Sequence, residues 1–203
     1  YKTPLMDVQM LGVVTNKPTT GPYRSAGGAE AGYFSERVMD LVADELGISP
    51  VDVRLKNMVP TEILPHTTPT GYRYDSGDYS AMLEQAVELS GYQDLVKDQA
   101  QARAEGRLVG IGVATYIKSS GGDGPLRDSN SRVEIEANGQ ITIFTEASPH
   151  GQGTETTFAQ VAADILGVIP EQITVFHGDT DQLPVGAGTA ASRGVVVSGT
   201  AVY

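Results

Sequence analysis

Ser148-Pro149-His150-Gly151-Gln152-Gly153-Thr154-Glu155-Thr156 and Val185-Gly186-Ala187-Gly188-Thr189-Ala190-Ala191-Ser192-Arg193-Gly194 are the two glycine-rich runs on which the reading of this chain turns. The first follows an alternating apolar run (Ile141, Ile143) and opens a stretch of helical spacing, so it reads as a strand-to-helix turn. Backbone N–H groups at a helix start lack intrahelical acceptors and sit at the positive end of the helix dipole. In a glycine-rich turn they attract phosphates and other anions. One amphipathic helix and one strand separate this cradle from the second run.

Within the cradle Gln152 is the informative side chain. Its amide offers donors and an acceptor to a heterocycle with a complementary edge, and flanking Gly151 and Gly153 let a ring approach the backbone. Thr189, Ala190, Ala191 and Ser192 form a segment without bulky shields, suited to a ligand held by main-chain bonds. Arg24 and Arg193 each lie among small residues and are candidates to grip an anion, a surface ion pair being the alternative for each. A plain tight turn at Gly151–Gly153 and a dinucleotide-binding turn also remain open. The dinucleotide turn wants a third glycine where the chain has Thr156, and an acid after the next strand, which Asp179 supplies. His66, His150 and His177 have no metal-ligand spacing, and no serine sits in a nucleophile elbow.

Outward from this core, residues 132–136 and 141–144 alternate about Asn138-Gly139, a hairpin with a type I′ turn signal and one wet face. Residues 7–15 and 108–118 read as strands. Thr20-Gly21-Pro22-Tyr23-Arg24-Ser25-Ala26-Gly27-Gly28 is another glycine loop leading into a helix. There Phe34, Val38, Leu41, Val42 and Leu46 form one apolar stripe and Gly47 is the stop. Residues 57–78 carry Pro60, Pro65, Pro69 and Gly71 without a period; helices follow at 79–90 and 93–105, and the glycines of 119–130 predict a mobile loop. Ala43-Asp44-Glu45-Leu46-Gly47-Ile48-Ser49-Pro50 matches Ala163-Asp164-Ile165-Leu166-Gly167-Val168-Ile169-Pro170, a weak internal repeat. Each copy reads as a helix–strand module, and both helix starts are candidates to face one ligand. The expected fold is α+β: helix–strand modules and a hairpin around a cofactor groove. Residues 1–106 hold the first module, the long loop and the helices; residues 107–203 hold the hairpin and the second module.

With 203 residues, 40% of them hydrophobic, the chain can bury a core. A formal charge of −11 argues against nucleic acid or an anionic membrane as partner, and no apolar run is long enough for a membrane span. Zero cysteines exclude a disulfide framework, iron–sulfur ligation by this chain and a thiol nucleophile, in keeping with a cytoplasmic setting. A start at Tyr1 and a stop at Tyr203 in mid-pattern predict an internal fragment.

Gly151-Gln152-Gly153-Thr154-Glu155-Thr156-Thr157-Phe158-Ala159-Gln160, His177-Gly178-Asp179-Thr180-Asp181 and Gly188-Thr189-Ala190-Ala191-Ser192-Arg193-Gly194, in that order, resemble the large, molybdopterin-binding subunit of the xanthine dehydrogenase family. That family includes aldehyde oxidoreductases and aerobic carbon monoxide dehydrogenases. Upstream, Pro22-Tyr23-Arg24-Ser25-Ala26-Gly27-Gly28, Glu36-Arg37, Asp40, Leu46-Gly47, Pro50 and Arg54 to Asn57 match in the same order. The resemblance implies a molybdenum ion on a pterin dithiolene, with a cytosine dinucleotide as one form of the pterin's tail. Gln152, with Gly151, Gly153 and Thr154, would border the metal. Tyr23, Arg24, Ser25 and Ala26 would line its substrate side. The backbone of Thr189, Ala190, Ala191, Ser192, Arg193 and Gly194 would hold the pterin and its tail.

The implied reaction is hydroxylation of an aldehyde or N-heterocycle with water as the oxygen source. Electrons would leave to 2Fe-2S and FAD on partner chains or domains of a dimer of hetero-oligomers. The family's catalytic glutamate belongs to a motif beyond residue 203, so no catalytic residue and no metal ligand is nominated here. Carbon monoxide dehydrogenases place a copper-binding cysteine in the loop matched by Tyr23-Arg24-Ser25, and this chain has Ser25 and no cysteine. A dinucleotide-binding module of another oxidoreductase and a non-catalytic interaction domain are the competing expectations. By the family reading the isolated chain carries no molybdenum and is inactive. Molybdenum found by elemental analysis, together with aldehyde-dependent dye reduction, would overturn that.

Overall fold

A computed structural model describes residues 1–22, 25–118, 120, 130–183, 186 and 188–203, arranged as two compact units, Tyr1–Tyr116 and Ile117–Tyr203. Tyr23 and Arg24, most of the glycine loop at 119–130, and Pro184, Val185 and Ala187 lie outside the described residues.

In the first unit α1 (Gly28–Leu46) begins after Gly27 and stops at Gly47, whose φ of 64° turns the Ile48 N–H back onto the Ala43 carbonyl at 3.0 Å. Glycine reaches this left-handed closure without a Cβ penalty. The strand expected of the first module is instead a second helix, α2 (Pro50–Asn57). Ser49 caps it by accepting the Val51 N–H at 3.1 Å, Pro50 occupies its first turn, and Arg54 and Lys56 lie in its last turn. These start and stop signals outweigh the β-branched Val51 and Val53. The long loop holds a short 3-10 turn (Thr61–Ile63) and a two-rung ribbon of β1 (His66–Thr67) with β2 (Arg73–Tyr74). Then α3 (Tyr79–Leu89), capped by Asp78 at 2.9 Å from the Ala81 N–H, leads through Gly91 to α4 (Tyr92–Ala104).

Neither expected strand of this unit forms. Residues 7–15 are irregular and their apolar side chains lie open, Val14 at 98%. Residues 110–116 do alternate in exposure, and Ile111 and Val113 pack on the core of Val51, Met58, Leu83 and Tyr92. Among the described residues no strand pairs with either segment, so the period-two pattern serves packing in one and nothing visible in the other.

The apolar stripe of α1 faces out, with Phe34 68% exposed, while the helix buries Glu36 and Ala43. A charge decides the orientation. Arg54 is 0% exposed; its Nε donates to Glu36 Oε2 at 2.8 Å and its Nη2 to Asp40 Oδ1 at 2.9 Å and to the Glu36 carbonyl at 3.1 Å. Desolvation pulls the guanidinium pKa down, but the bonds to Glu36 and Asp40 outweigh it and leave it raised. Removing one partner of such a buried pair costs about 3–5 kcal/mol.

The second unit is a three-stranded sheet in the order β3 (Ser131–Ile135), β4 (Ile141–Thr145), β5 (Ile173–Phe176). The expected hairpin is β3–β4, in register Ile135↔Ile141. Its turn is not type I′: Gly139 alone has positive φ, 88°, and its N–H closes onto the Glu136 carbonyl at 2.9 Å. A glycine supplying the one left-handed residue after a tight turn is the three-residue loop with a bulge. β3 is an exposed edge, while β4 is largely buried on both faces.

α5 (Thr154–Leu166) crosses from β4 to β5, which pairs parallel to β4 in register Ile143↔Val175. Phe158 and the small Ala159, Ala162 and Ala163 pack on Ile141, Ile143 and Ile173. The repeat is visible at Gly167, whose φ of 69° again returns the next N–H (Val168) to Ala163, at 3.1 Å. It ends at the prolines, Pro170 opening a 3-10 turn (Pro170–Gln172) rather than a helix. A π-helical turn (Gly194–Gly199) and α6 (Thr200–Val202) finish the unit. The architecture is α+β, and no helix among the described residues is long and apolar enough to cross a membrane.

Tyr1 supplies a pH test of the Arg54 network. Its O–H donates to Glu36 Oε1 at 2.6 Å; burial first, and then this bond, push its pKa up to about 12. The folded state thus favours the neutral phenol over the unfolded value of about 10. The stabilisation is complete below pH about 10 and is lost as pH rises through about 12. Urea titrations of the chain should show stability falling across that window more steeply than in Tyr1→Phe; equal slopes would refute the assignment.

Candidate cofactor-binding site

The crossover puts the turns leaving β4 and β5 at the same, carboxyl, end of two parallel strands, where open α/β sheets take their ligands. The turn after β4 is the cradle expected at residues 148–156. Gly151 (φ 91°) and Gly153 (φ 78°) hold left-handed conformations, and a Cβ on either would enter open space. Gly153 precedes α5 with no side-chain cap of its own, leaving first-turn amides other than that of Glu155 without one. Glu155 in this first turn has two partners. Its carboxylate accepts its own backbone N–H and contacts His177 Nε2 at 2.9 Å, and both bonds hold its pKa below the usual range.

Gln152 is exposed and folded over its own loop: Oε1 accepts the His150 N–H, and Nε2 donates to the Ser148 carbonyl at 3.4 Å. One Nε2 proton and one Oε1 lone pair remain for another partner. After β5, Asp179 accepts the Asp181 N–H at 3.0 Å and its carbonyl takes the Leu183 N–H at 3.0 Å. Asp179 therefore closes its own turn, which removes the main support for a dinucleotide-binding acid.

The second glycine-rich run joins the cradle. Thr189 Oγ1 donates to the Ser148 carbonyl at 2.8 Å, across 41 residues of sequence. Ala191 and Ser192 follow with φ of 47° and 57°, and the Arg193 N–H returns to the Ala190 carbonyl at 3.0 Å. The Arg193 side chain does not serve as the expected anion grip. It is wholly buried, with Nη2 donating to the buried Glu146 just past β4. Glu146 was invisible to motif reading; the available signal was a lone acid closing the apolar run 141–147.

In the first unit, Ser25 (φ 67°), Ala26 (φ 42°) and Gly27 (φ 87°) form a left-handed run ahead of α1, closed by the Gly28 N–H on the Ser25 carbonyl at 2.9 Å. Gly28 is tight against it: a Cβ there would lie 2.6 Å from Ser25 Oγ. Tyr23 and Arg24, expected beside this run, fall outside the described residues. Ser25, Ala26, Ala191 and Ser192 are the non-glycine residues with positive φ among those described. All four lie in the segments expected to hold a cofactor. Such conformations persist where surrounding structure enforces them and concentrate at ligand clamps. No cluster of three His, Cys, Asp or Glu suited to a metal ion occurs among the described residues.

The left-handed pair has a measurable consequence. Ala191→Gly should raise the unfolding free energy by about 0.5–1 kcal/mol, the left-handed penalty less glycine's greater loss of chain entropy. A chemical denaturation series reading no gain, or a loss, would show that the conformation is unstrained.

Two family models, each described as a molybdopterin cofactor-binding domain, match residues 85–203 and 1–58. The chain is 34% identical over 206 residues to the gamma subunit of the 6-hydroxypseudooxynicotine dehydrogenase complex of Paenarthrobacter nicotinovorans, covering 99% of this chain and 26% of that one. It is 34% identical over 215 residues to the carbon monoxide dehydrogenase large chain of Hydrogenophaga pseudoflava, covering 100% and 27%. The crystal structure of quinoline 2-oxidoreductase from Pseudomonas putida 86 superposes with a TM-score of 0.77 at 30% identity, covering 89% of this chain and 24% of that one. The chain thus spans about a quarter of the length of the relatives it matches. With both units matched, the chain belongs to the family of molybdopterin cofactor-binding domains.

Proposed function

We propose that this chain is part of the large subunit of a molybdenum hydroxylase that oxidises aldehydes or N-heterocycles with water as the oxygen source. The observation that carries the reading is the coincidence of the left-handed residues Ser25, Ala26, Ala191 and Ser192 with the segments assigned to the cofactor. The residues present fit molybdopterin. Gly151, Gly153 and Gly188 border open space, Gly153 gives α5 no side-chain cap, and the Glu155 carboxylate is paired with His177. Bound molybdopterin would supply the redox metal and the route by which two electrons leave the substrate.

The chain's own residues bind and orient. Gln152, with Gly151, Gly153 and Thr154, offers its remaining amide donor and acceptor beside the metal. Thr189, Ala190, Ala191, Ser192 and Gly194 present main-chain groups to the pterin and its tail. Arg193 contributes its backbone there, its side chain being turned onto Glu146. Ser25 and Ala26, with Tyr23 and Arg24, border the substrate.

The relatives named for quinoline and for 6-hydroxypseudooxynicotine favour organic substrates. The relative named for carbon monoxide is the poorer guide, because Ser25 stands where the resemblance puts a copper-binding cysteine and the chain has no cysteine. Iron–sulfur and flavin partners, a cytosine dinucleotide form of the pterin, a paired hetero-oligomer and a cytoplasmic location complete the proposal.

The test uses the full-length parent purified with its partners. It should contain molybdenum and pterin, reduce dye with an aldehyde or N-heterocycle, and fail to oxidise carbon monoxide. Gln152→Ala removes about two hydrogen bonds and should lower turnover or metal content by about tenfold or more. A parent without molybdenum, or a Gln152→Ala enzyme of full content and rate, would defeat the reading.

A further inference from the structure

Glu146 and Arg193 lie 47 residues apart; Arg193 is wholly buried and Glu146 is 8% exposed. Guanidinium Nη2 donates to Glu146 Oε1. The other carboxylate oxygen, Oε2, is buried with no hydrogen-bond partner among the described residues. It sits where the side chain of residue 186 would begin: a Cβ built on Gly186 would coincide with the carboxylate. Glu146 therefore meets the second glycine-rich run at two places, Gly186 and Arg193. Between them Thr189 is tied to Ser148, two residues beyond Glu146. The left-handed Ala191 and Ser192 lie inside this bracket, immediately before Arg193.

A buried ion pair is a poor device for stability, since apolar replacements of both partners are often as good or better. Its distinctive property is directional. A carboxylate and a guanidinium set distance and orientation in a way that apolar packing does not. A carboxylate seated on a glycine Cα further fixes how close the run can lie to β4, because any side chain at residue 186 would displace it.

We propose that the Glu146–Arg193 pair, seated against Gly186, is a positioning latch that holds the 190–194 backbone in its left-handed, cofactor-gripping conformation. The latch rests on the cofactor reading above. Neither carboxylate nor guanidinium touches the cofactor in this role; they set the main-chain groups that do. The alternative is a pair that only fills the core.

The test measures molybdenum and pterin per protein in the purified full-length complex, beside circular dichroism and elution volume. Glu146→Gln alone strands a buried guanidinium and risks unfolding, so the deciding variant is the double substitution Glu146→Gln/Arg193→Met, which removes both charges together. It should keep the dichroism and elution of the parent and lose about tenfold or more of its molybdenum and pterin. Gly186→Ala, which alters neither charge, should show the same loss. Arg193→Lys, which keeps a cation in the pair, should retain more cofactor than Arg193→Met. A folded double variant with full cofactor overturns the latch; if that variant does not fold, a folded Gly186→Ala with full cofactor does so. An unaltered parent lacking both molybdenum and pterin would mark failure of the cofactor reading itself.

Discussion

A guanidinium can leave water only where carboxylates and carbonyls meet its donors, and each unit of this chain is assembled around one that does. In the first unit Arg54 sits at 0% exposure between Glu36 and Asp40 of α1, also bonding the Pro50 carbonyl at 2.9 Å. Glu36 in turn accepts the Tyr1 hydroxyl and the Thr115 N–H, so one carboxylate gathers both ends of the unit and two helices. In the second unit Arg193 and Glu146 join the end of β4 to the start of the closing π-helical turn. Because an unpaired charge would be prohibitive, each pair dictates which helix face or loop edge turns inward.

That constraint explains an arrangement that apolar patterning alone would invert. The stripe of Phe34, Val38, Leu41 and Leu46 faces outward on α1, while the inward face carries Glu36 and Ala43. Two small apolar cores do the rest. One gathers Val51, Met58, Leu83 and Tyr92; the other packs Phe158 and its neighbouring alanines on Ile141, Ile143 and Ile173. In the second unit the alanines let α5 approach the sheet closely and carry its uncapped start to the carboxyl end of β4. Strand, helix and returning chain thus meet at the turn at residues 146–153, where Glu146 bonds Arg193 and Ser148 bonds Thr189.

Local signals carried well wherever the physics was local. Gly47 and Gly167 stop helices because only a left-handed residue returns the next N–H to the last turn, and that requirement is written in the glycine itself. The β3–β4 hairpin, α3, α4 and α5 follow from alternation, caps and spacing in the same way. The errors arose where the outcome depended on a distant partner. Residues 7–15 and 108–116 have strand-like alternation but no neighbouring strand among the described residues, and a strand exists only as half of a pair. Residues 50–57 chose helix because Ser49 and Pro50 start one and Arg54 must reach across to α1.

The sequence by itself determined the family, the α+β class and the glycine turns, since these rest on residue identity and short spacings. The tertiary structure alone decided what those residues do with their side chains. It turned Arg193 inward, brought Glu146 to it across 47 residues, folded the Gln152 amide over its own loop and set Asp179 to closing a turn. A side chain's role depends on what lies within about 3 Å of it, and for all of these but the local turns that neighbour comes from chain pairing that no short stretch encodes.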